Sequence, residues 1–296
     1  MKRSGTRLTF LAMLLPSVIR AGAPGRATVA AWDEYVHSAI IANEQRASAG
    51  ERFLWIEETP ERMASVRAGE VVVSPADTQT PRRVVSGLIH DWVGAVFIPQ
   101  ASLNDVLQVI HDYSRYKDWF QPAVVDSKAI ATTGSRDRFS MLLVNRSFFR
   151  NLALDADYES SWVRIDDRSG YSIARTTRIR EVEEYGTSGR HVLPDGEGAG
   201  IIWRLFSITR YLERDGGVYV EIQAIALSRD IPVSLRWVIA PIVRHISSTS
   251  LATYLRQTAN AVRDRKFDNE AAKCDTCVWH RPVVSSKTAA LPASFR

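Results

Sequence analysis

The sequence predicts an α+β fold in which a curved antiparallel sheet wraps around one long C-terminal helix. Several stretches between residues 85 and 228 have the composition of strands, and two of them are joined by the turn Asp215-Gly216-Gly217. One long helical segment, residues 231–267, follows the last strand. An antiparallel sheet buries one face, and this segment is the one large enough to cover it.

The length and composition allow a sizeable core. The chain has 296 residues, of which 45% are hydrophobic and 24% charged, as is ordinary for globular proteins. We expect a signal peptide at 1–31, an N-terminal accessory segment at 32–81, the main domain at 82–268, and a polar, partly disordered tail at 269–296.

The first 31 residues have the pattern of an export signal. Basic residues at positions 2–7 precede the apolar run LTFLAMLLPSVI, and small residues follow in AGAPG and ATVAA. The run is too short for a bilayer, which needs about 20 apolar residues. Cleavage near Ala31, with Val29 two residues before it, predicts a periplasmic or secreted protein. Because Arg20 and Arg26 are unusual so close to a cleavage site, an uncleaved anchor remains an alternative.

The charge of the chain depends on this segment. The formal net charge of +5 comes from 38 Lys and Arg against 33 Asp and Glu. Residues 1–31 contain five of the basic residues and none of the acidic ones, which leaves 33 of each. A net charge of zero removes the main support for a nucleic-acid partner.

The accessory segment contains four predicted elements. Residues 30–47 predict a helix, and ERFLWIEE (51–58) predicts a short strand. TPERMASVRAG (59–69) predicts a second helix, because Pro60 suits the first helical position and Gly69 can end it. EVVVSP (70–75) predicts a strand, and residues 76–83 resemble a linker.

The main domain begins with a β-rich stretch at 85–99. Ser102 with Asp105 is then a weaker form of the capping box, at the start of a short amphipathic helix that runs to Ile110. Strands follow at 138–145, 153–167, 171–184, 200–214 and 218–228, with a glycine-rich insertion at 186–200 that we expect to be a mobile loop. In the final helix, Pro241 introduces a division or kink.

Four stretches carry a resemblance to a known family. AVFIP, SLNDV, DYSRYKDWFQPAVVDSK and SRDIPVSLRWVIAPIV, in this order, resemble the START-like, helix-grip superfamily (SRPBCC), in particular its polyketide cyclase/dehydrase and coenzyme Q-binding branches. The positions that match are Pro99, Asp105, Val106, Asp112, Tyr113, Tyr116 and Pro122. The resemblance covers residues 82–268 and implies a hydrophobic or amphipathic ligand between sheet and helix. It does not imply catalysis, because one fold hosts many functions.

The chain departs from that family at three places. The N-terminal segment with its signal and the glycine-rich insertion are additional. Lys117 stands where the coenzyme Q-binding branch often has proline, which puts membership of that branch in doubt.

Four large aromatics follow the short helix. Tyr113, Tyr116 and Trp119 either form the rim of a pocket, where amphipathic rings are suitable, or plug the open edge of the sheet. For Phe120 we favour the plug.

Further candidate ligand contacts come from the strands and the last helix. Ile222 and Ala224 share an apolar strand face that narrows to alanine, and Met141 is an adaptable lining residue. Tyr254 lies on the apolar stripe of the last helix. Arg175 and Trp203 are candidates for a ligand head group, with a surface ion pair as the simpler role for Arg175.

The pair Cys274 and Cys277 indicates a local disulfide, because the protein is predicted to be exported. A redox role would need a βαβ setting, which the sequence lacks. A zinc site normally needs four ligands, and only His280 is near. These roles and unpaired thiols remain alternatives.

No catalytic motif is found. A serine nucleophile elbow, HExxH and GxxxxGK are all absent, and the histidines of His90-Asp91 and His111-Asp112 suit surface or capping roles. Acid–base work by Tyr113 or Glu221 stays open.

The leading hypothesis is a non-catalytic binder or carrier of a lipid, quinone or polyketide-like molecule in the cell envelope. We expect it to use no cofactor or metal, and transient membrane contact is left open. The alternatives are a cyclase, dehydratase or aromatase, and a structural or interaction protein with a filled core. The sequence does not predict the oligomeric state.

Overall fold

The structure is a computed structural model that describes residues 22–50, 52–133, 136–145, 152–199, 202–230 and 247–265. The apolar run of the predicted signal, Pro241 and the pair Cys274–Cys277 lie outside these residues. The helices are Arg26–Ala49 (α1), Pro60–Arg67 (α2), Leu103–Ile110 (α3), Tyr116–Trp119 (α4) and residues 247–265 (α5), with short 3-10 turns at Trp55–Glu58 and Tyr113–Arg115. Strands β1 to β10 run Val72–Pro75, Arg82–Val84, Gly87–Pro99, Val124–Thr132, Arg136–Asn145, Leu152–Arg164, Ser169–Glu183, His191–Val192, Arg204–Arg214 and Gly217–Arg229.

These strands form one antiparallel sheet in the order β1-β3-β10-β9-β7-β6-β5-β4, with β2 added to β3 and β8 added to β7. The predicted hairpin is confirmed: Asp215 and Gly216 connect β9 to β10 with φ of 58° and 76°. Positive φ at both positions gives the turn whose twist matches the paired strands. In the sheet, β10 lies between β3 and its hairpin partner β9.

One face of the sheet, the inner face, packs on α5. Val96, Tyr211 and Val220 form a buried cluster with Leu255, while Tyr254, one residue earlier, packs on the aromatic cluster of β5 and β6. Because distant parts of the sheet contact the same helix, the sheet must curve around it. The predicted helix-grip fold is therefore confirmed.

A glycine allows α5 to approach this face closely. A Cβ added at Gly94 of β3 would lie 2.8 Å from the Val73 side chain and 2.9 Å from Leu255 Cδ1. Such distances are too short for real carbon contacts, so the close packing of α5 on β3 requires glycine here.

The opposite face, the outer face, is covered by the accessory segment. Trp32 of α1 packs on Ile89 and Phe206, and Leu54 and Ile56 pack beside Tyr219. The segment also contributes β1 to the sheet through pairing with β3. The predicted boundary at 81/82 falls between β1 and β2, and both of these strands pair with β3.

The prediction of a strand at 51–58 is wrong, because this stretch forms a 3-10 turn, Trp55–Glu58. The backbone N–H groups of Trp55 and Ile56 donate to the Glu221 carboxylate at 3.0 and 3.2 Å rather than to a strand ladder. Glu221 is also paired with Arg210 at 2.9 Å, and both side chains are buried. The sequence alone does not reveal that the Glu221 carboxylate accepts hydrogen bonds from the backbone of this stretch.

Two boundaries differ from the sequence predictions. Helix α1 starts at Arg26, and Thr28 is buried and donates to the Val85 carbonyl at 2.6 Å. The predicted cleavage point near Ala31 thus lies within α1. The glycine-rich insertion contains β8, which pairs His191 with Glu183 of β7.

Candidate ligand-binding interior

The interior lies between the inner face, α5, and the segment from α3 to α4. Under residues 251–262 of α5 it is tightly packed. Leu255 and Val262 of α5 and Val106 of α3 are at most 1% exposed and belong to one cluster. This part has no space for a guest, so any binding region must lie beside it, along the inner face between β10 and β5.

The aromatics after α3 form part of the core. The α3 helix starts at a capping box in which Ser102 and Asp105 each bond the backbone N–H of the other. The following turn places the Tyr113 ring 4.2 Å from Phe139 in a parallel stack. Phe139 in turn stacks on Tyr158 at 5.0 Å.

The burial of these rings favours the plug over the rim. Tyr113, Tyr116 and Phe120 are 3%, 6% and 1% exposed. Trp119 differs, because it is half-buried with the Arg115 guanidinium 4.9 Å from its ring. Tyr254 closes the cluster from α5, with its ring 4.8 Å from Phe120.

Apolar side chains beside these clusters keep part of their surface accessible. All but one of them lie at least two residues from the end of their strand. They contact the buried clusters but are themselves half-buried: Met141, Leu143, Trp162, Ile179, Leu205 and Ala224. Accessible apolar surface on the helix-facing side of a sheet indicates space beside it, because close-packed interiors leave few gaps of molecular size.

Two hydrogen-bonded pairs place tyrosine hydroxyls in the interior. The Tyr113 hydroxyl donates to Asp137 Oδ2 at 2.9 Å, and the hydroxyls of Tyr211 and Ser172 lie 3.2 Å apart. Burial, together with the Asp137 charge, raises the pKa of Tyr113 well above its usual value. Burial also raises the pKa of Tyr211. Both phenols therefore stay protonated near neutral pH and act as hydrogen-bonding groups.

A histidine adjoins this polar region. His111 caps the C-terminal end of α3 and meets Trp162 edge-on at 6.0 Å, while Trp162 lies 5.2 Å from Tyr211. Burial lowers the pKa of His111, against the opposing charge of Asp137. The imidazole is consequently neutral near pH 7. His111 thus occupies the predicted cap position, through its backbone N–H, and its ring makes an interior contact that the sequence did not indicate. For His90 the prediction of a surface or capping role is wrong, because this residue is 7% exposed and its side chain lies 2.9 Å from the Ser228 hydroxyl.

Seven of the nine predicted ligand contacts lie around this interior: Tyr113, Tyr116, Trp119, Met141, Ile222, Ala224 and Tyr254. Arg175 and Trp203 do not. Arg175 pairs with Phe206 in the register of β7 and β9 and is thereby directed to the outer face, where it binds Glu159 at 2.7 Å. Trp203 packs on the outer-face cluster around Trp32. Strand alternation separates these two from the interior.

Glu221 is also removed from the set of interior acid–base candidates. Its carboxylate is on the outer face, bonded to Arg210 and to two backbone N–H groups. Burial raises the pKa of Glu221, with Arg210 and the N–H donors acting in the opposite direction. Its role is to anchor the accessory segment on the sheet.

Four interior residues were not predicted from the sequence: Asp137, Trp162, Ser172 and Tyr211. The register pairs Asp137 with Ser160, Trp162 with Ser172 and Ser172 with Thr209, so alternation along β5, β6, β7 and β9 would have grouped them. The signal was concealed because both sheet faces are covered and the strands therefore lack a clear apolar/polar alternation.

Within the ranges that the structure describes, no group of three or more His, Cys, Asp or Glu is arranged to hold a metal ion. No helix of those ranges is long and apolar enough to cross a membrane.

No protein-family model matches the sequence, and no curated protein matches it either. Among solved structures, a STAR-related lipid transfer protein from Xanthomonas axonopodis matches 65% of this chain and 97% of its own, with 18% identity and a TM-score of 0.39. Human STARD10 matches 73% of this chain and 84% of its own (11% identity, TM-score 0.41). The Zhui aromatase/cyclase of Streptomyces sp. R1128 matches 60% and 95% (9% identity, TM-score 0.39). These are structures to which this chain is similar at TM-scores of 0.39, 0.41 and 0.39.

Proposed function

We propose that this protein binds or carries a hydrophobic small molecule between the inner face of the sheet and its C-terminal helix. The observation that carries the proposal is the accessible apolar surface of Met141, Trp162 and Ala224 on the helix-facing side of the sheet. Apolar surface of this kind gains free energy when a guest removes it from water.

The polar groups of the interior are already hydrogen-bonded to one another, which favours a largely apolar guest. Burial of roughly 300 Å² of apolar ligand surface supplies about 7 kcal/mol before ordering costs. The Tyr113 hydroxyl is already bonded to Asp137, and that of Tyr211 to Ser172. A lipid, a quinone or a polyketide-like molecule has the required chemistry.

The cell envelope is the proposed location. The basic start, the apolar run and the small residues that follow support export. A carrier in this compartment would collect and release its guest at a lipid surface, so transient membrane contact belongs to the same proposal.

Native mass spectrometry of the exported protein, with extraction of whatever co-purifies, tests the proposal. We expect a bound hydrophobic molecule, or uptake of a fatty-acid or quinone probe by the emptied protein. Ala224→Phe should reduce probe uptake at least about tenfold by filling the space beside β10, on the scale of a lost apolar contact area.

Val163→Phe is the matched control, because Val163 is 39% exposed and next to Trp162 in β6, on the opposite face. Equal loss in both variants would show that the effect is not specific to the interior. An empty wild-type protein that takes up neither probe would contradict the proposal and favour a structural protein with a filled core.

An acid–base enzyme is the second candidate, favoured by one observation. Three titratable groups, His111, Tyr113 and Asp137, lie on the interior side of the fold. Asp137→Asn distinguishes the candidates: an enzyme of the cyclase or dehydratase type would lose turnover while still binding, whereas a carrier has no turnover to lose.

A further inference from the structure

A separate cleft lies on the outer face, where α1 crosses β2, β3 and β10. Its volume is about 420 Å³, within the range of small-molecule sites. The polar side chains that line it are Glu34, Tyr35, Ser38, Arg82, Asp91 and Gln223. Glu34, Ser38 and Arg82 are exposed at its rim, whereas Asp91 is buried.

The buried carboxylate of Asp91 is only half satisfied. Its Oδ2 accepts hydrogen bonds from the Tyr35 hydroxyl at 2.9 Å and from Gln223 Nε2 at 2.8 Å. Its Oδ1 has no hydrogen-bond partner among the described residues, although Asp91 is only 3% exposed. A buried acceptor without a partner is costly, so a guest that supplies a donor is favoured.

The charges around the cleft favour a cationic donor. Glu34 lines the rim, and Asp77 is close enough to raise the pKa of Asp91 further. Arg210 is paired with Glu221, while Arg82, over the Tyr35 ring at 5.2 Å, donates to the neutral amide of Gln79. The three carboxylates Glu34, Asp77 and Asp91 therefore outnumber the one cation of the lining, Arg82.

We propose that this cleft binds a small organic ammonium compound whose N–H group donates to Asp91 Oδ1. The apolar part of the guest would lie against the remaining wall, which consists of Ala31, Ala39, Val84 and Ile89. Hydrogen bonds to a charged partner are among the stronger ones, which gives such a guest selectivity over a neutral analogue.

The cleft is independent of the interior. Asp91 is directed to the outer face, whereas its neighbour Trp92 belongs to the inner-face cluster that packs on α5. Binding at one site can therefore fail without consequence for the other, and a change at Asp91 leaves the inner lining unaltered.

Titration calorimetry of the full chain with phenethylammonium at pH 7.5 tests the proposal, with 2-phenylethanol as the neutral probe of matched shape. We expect saturable binding of the ammonium probe and about tenfold or weaker binding of the alcohol. Asp91→Asn replaces the free acceptor while keeping the shape, and should weaken the ammonium probe by about tenfold or more.

A second pair of variants tests the location without touching the buried carboxylate. Ser38→Trp should block the mouth of the cleft and abolish binding. His37→Trp is the control, because His37 is exposed at the preceding position of α1 and does not line the cleft, so binding should persist. Equal binding to wild type and Asp91→Asn would overturn the proposal. So would equal affinity for ammonium and alcohol, or no heat of binding at millimolar probe.

Discussion

Removal of the charge of Glu221 should destabilise the protein strongly, because Arg210 would then be buried without its partner. The two side chains are 0% and 4% exposed and 2.9 Å apart. The Arg210 Nε also donates to Asn43 of α1 at 2.8 Å, so the pair links the accessory segment to the sheet. Glu221→Gln keeps the size of the side chain and changes chiefly its charge.

The expected magnitude follows from burial. Breaking a buried ion pair by removing one partner costs roughly 3–5 kcal/mol. For a domain of this size, each kcal/mol shifts the Tm by about 2–4 °C, so we expect a decrease of roughly 6–20 °C. Arg175→Gln is the control, because it breaks an outer-face pair in which Arg175 is 64% exposed. Exposed pairs contribute roughly 0–1 kcal/mol.

Urea denaturation followed by circular dichroism measures both variants on the same scale. The combined change Arg210→Met with Glu221→Gln should recover much of the loss. No unpaired charge then remains buried, and the glutamine oxygen can still accept from the N–H groups of Trp55 and Ile56. A Glu221→Gln variant that unfolds within about 1 kcal/mol of wild type would refute the assignment of the pair as the anchor of the accessory segment.

Three further outcomes are expected. Burial raises the pKa of Asp91 from 3.8 to about 6, so the contribution of Asp91 to the free energy of unfolding falls as pH rises from about 4 to about 6. Burial lowers the pKa of His90 from 6.5 to about 4, so the contribution of His90 rises over about pH 4–6.5. Asp91→Asn should therefore be more stable than wild type at pH 7, by up to about 3 kcal/mol. In urea titrations its free energy of unfolding should increase more steeply with pH than that of wild type, and an unchanged slope would contradict the raised pKa of Asp91. Mass spectrometry of the exported protein should find a new N-terminus close to Ala31, and an intact Met1 would instead indicate the anchor. Alkylation of the denatured, unreduced protein should leave Cys274 and Cys277 unmodified, and two added groups would exclude the disulfide.

Much of the order of the elements could be predicted from the sequence because several elements carry their own local signal, whereas β4, β8 and the turn at Trp55–Glu58 were not predicted. The capping box at Ser102 starts α3, and Asp215-Gly216 closes the hairpin of β9 and β10. Such signals depend on residues that are neighbours in the chain, so they need no knowledge of tertiary contacts.

The faces of the strands were harder to predict because both are buried. On β10 the polar residues Glu221 and Gln223 alternate with Ile222 and Ala224, yet Glu221 is fully buried under the accessory segment. The polarity of these side chains therefore did not show whether the outer face of the sheet is exposed to solvent or covered by another segment. The same limit placed Arg175 among the ligand contacts, since only the register with β9 shows which way it is directed.

Photolabelling tests the central claim most directly. A fatty-acid probe with a diazirine in its chain, bound to the exported protein and activated by light, should modify Met141, Trp162 or Tyr254, as located by peptide fragmentation. Modification confined to outer-face positions such as Val163 or Arg175, or the absence of any probe that excess fatty acid displaces, would contradict a guest between the sheet and α5.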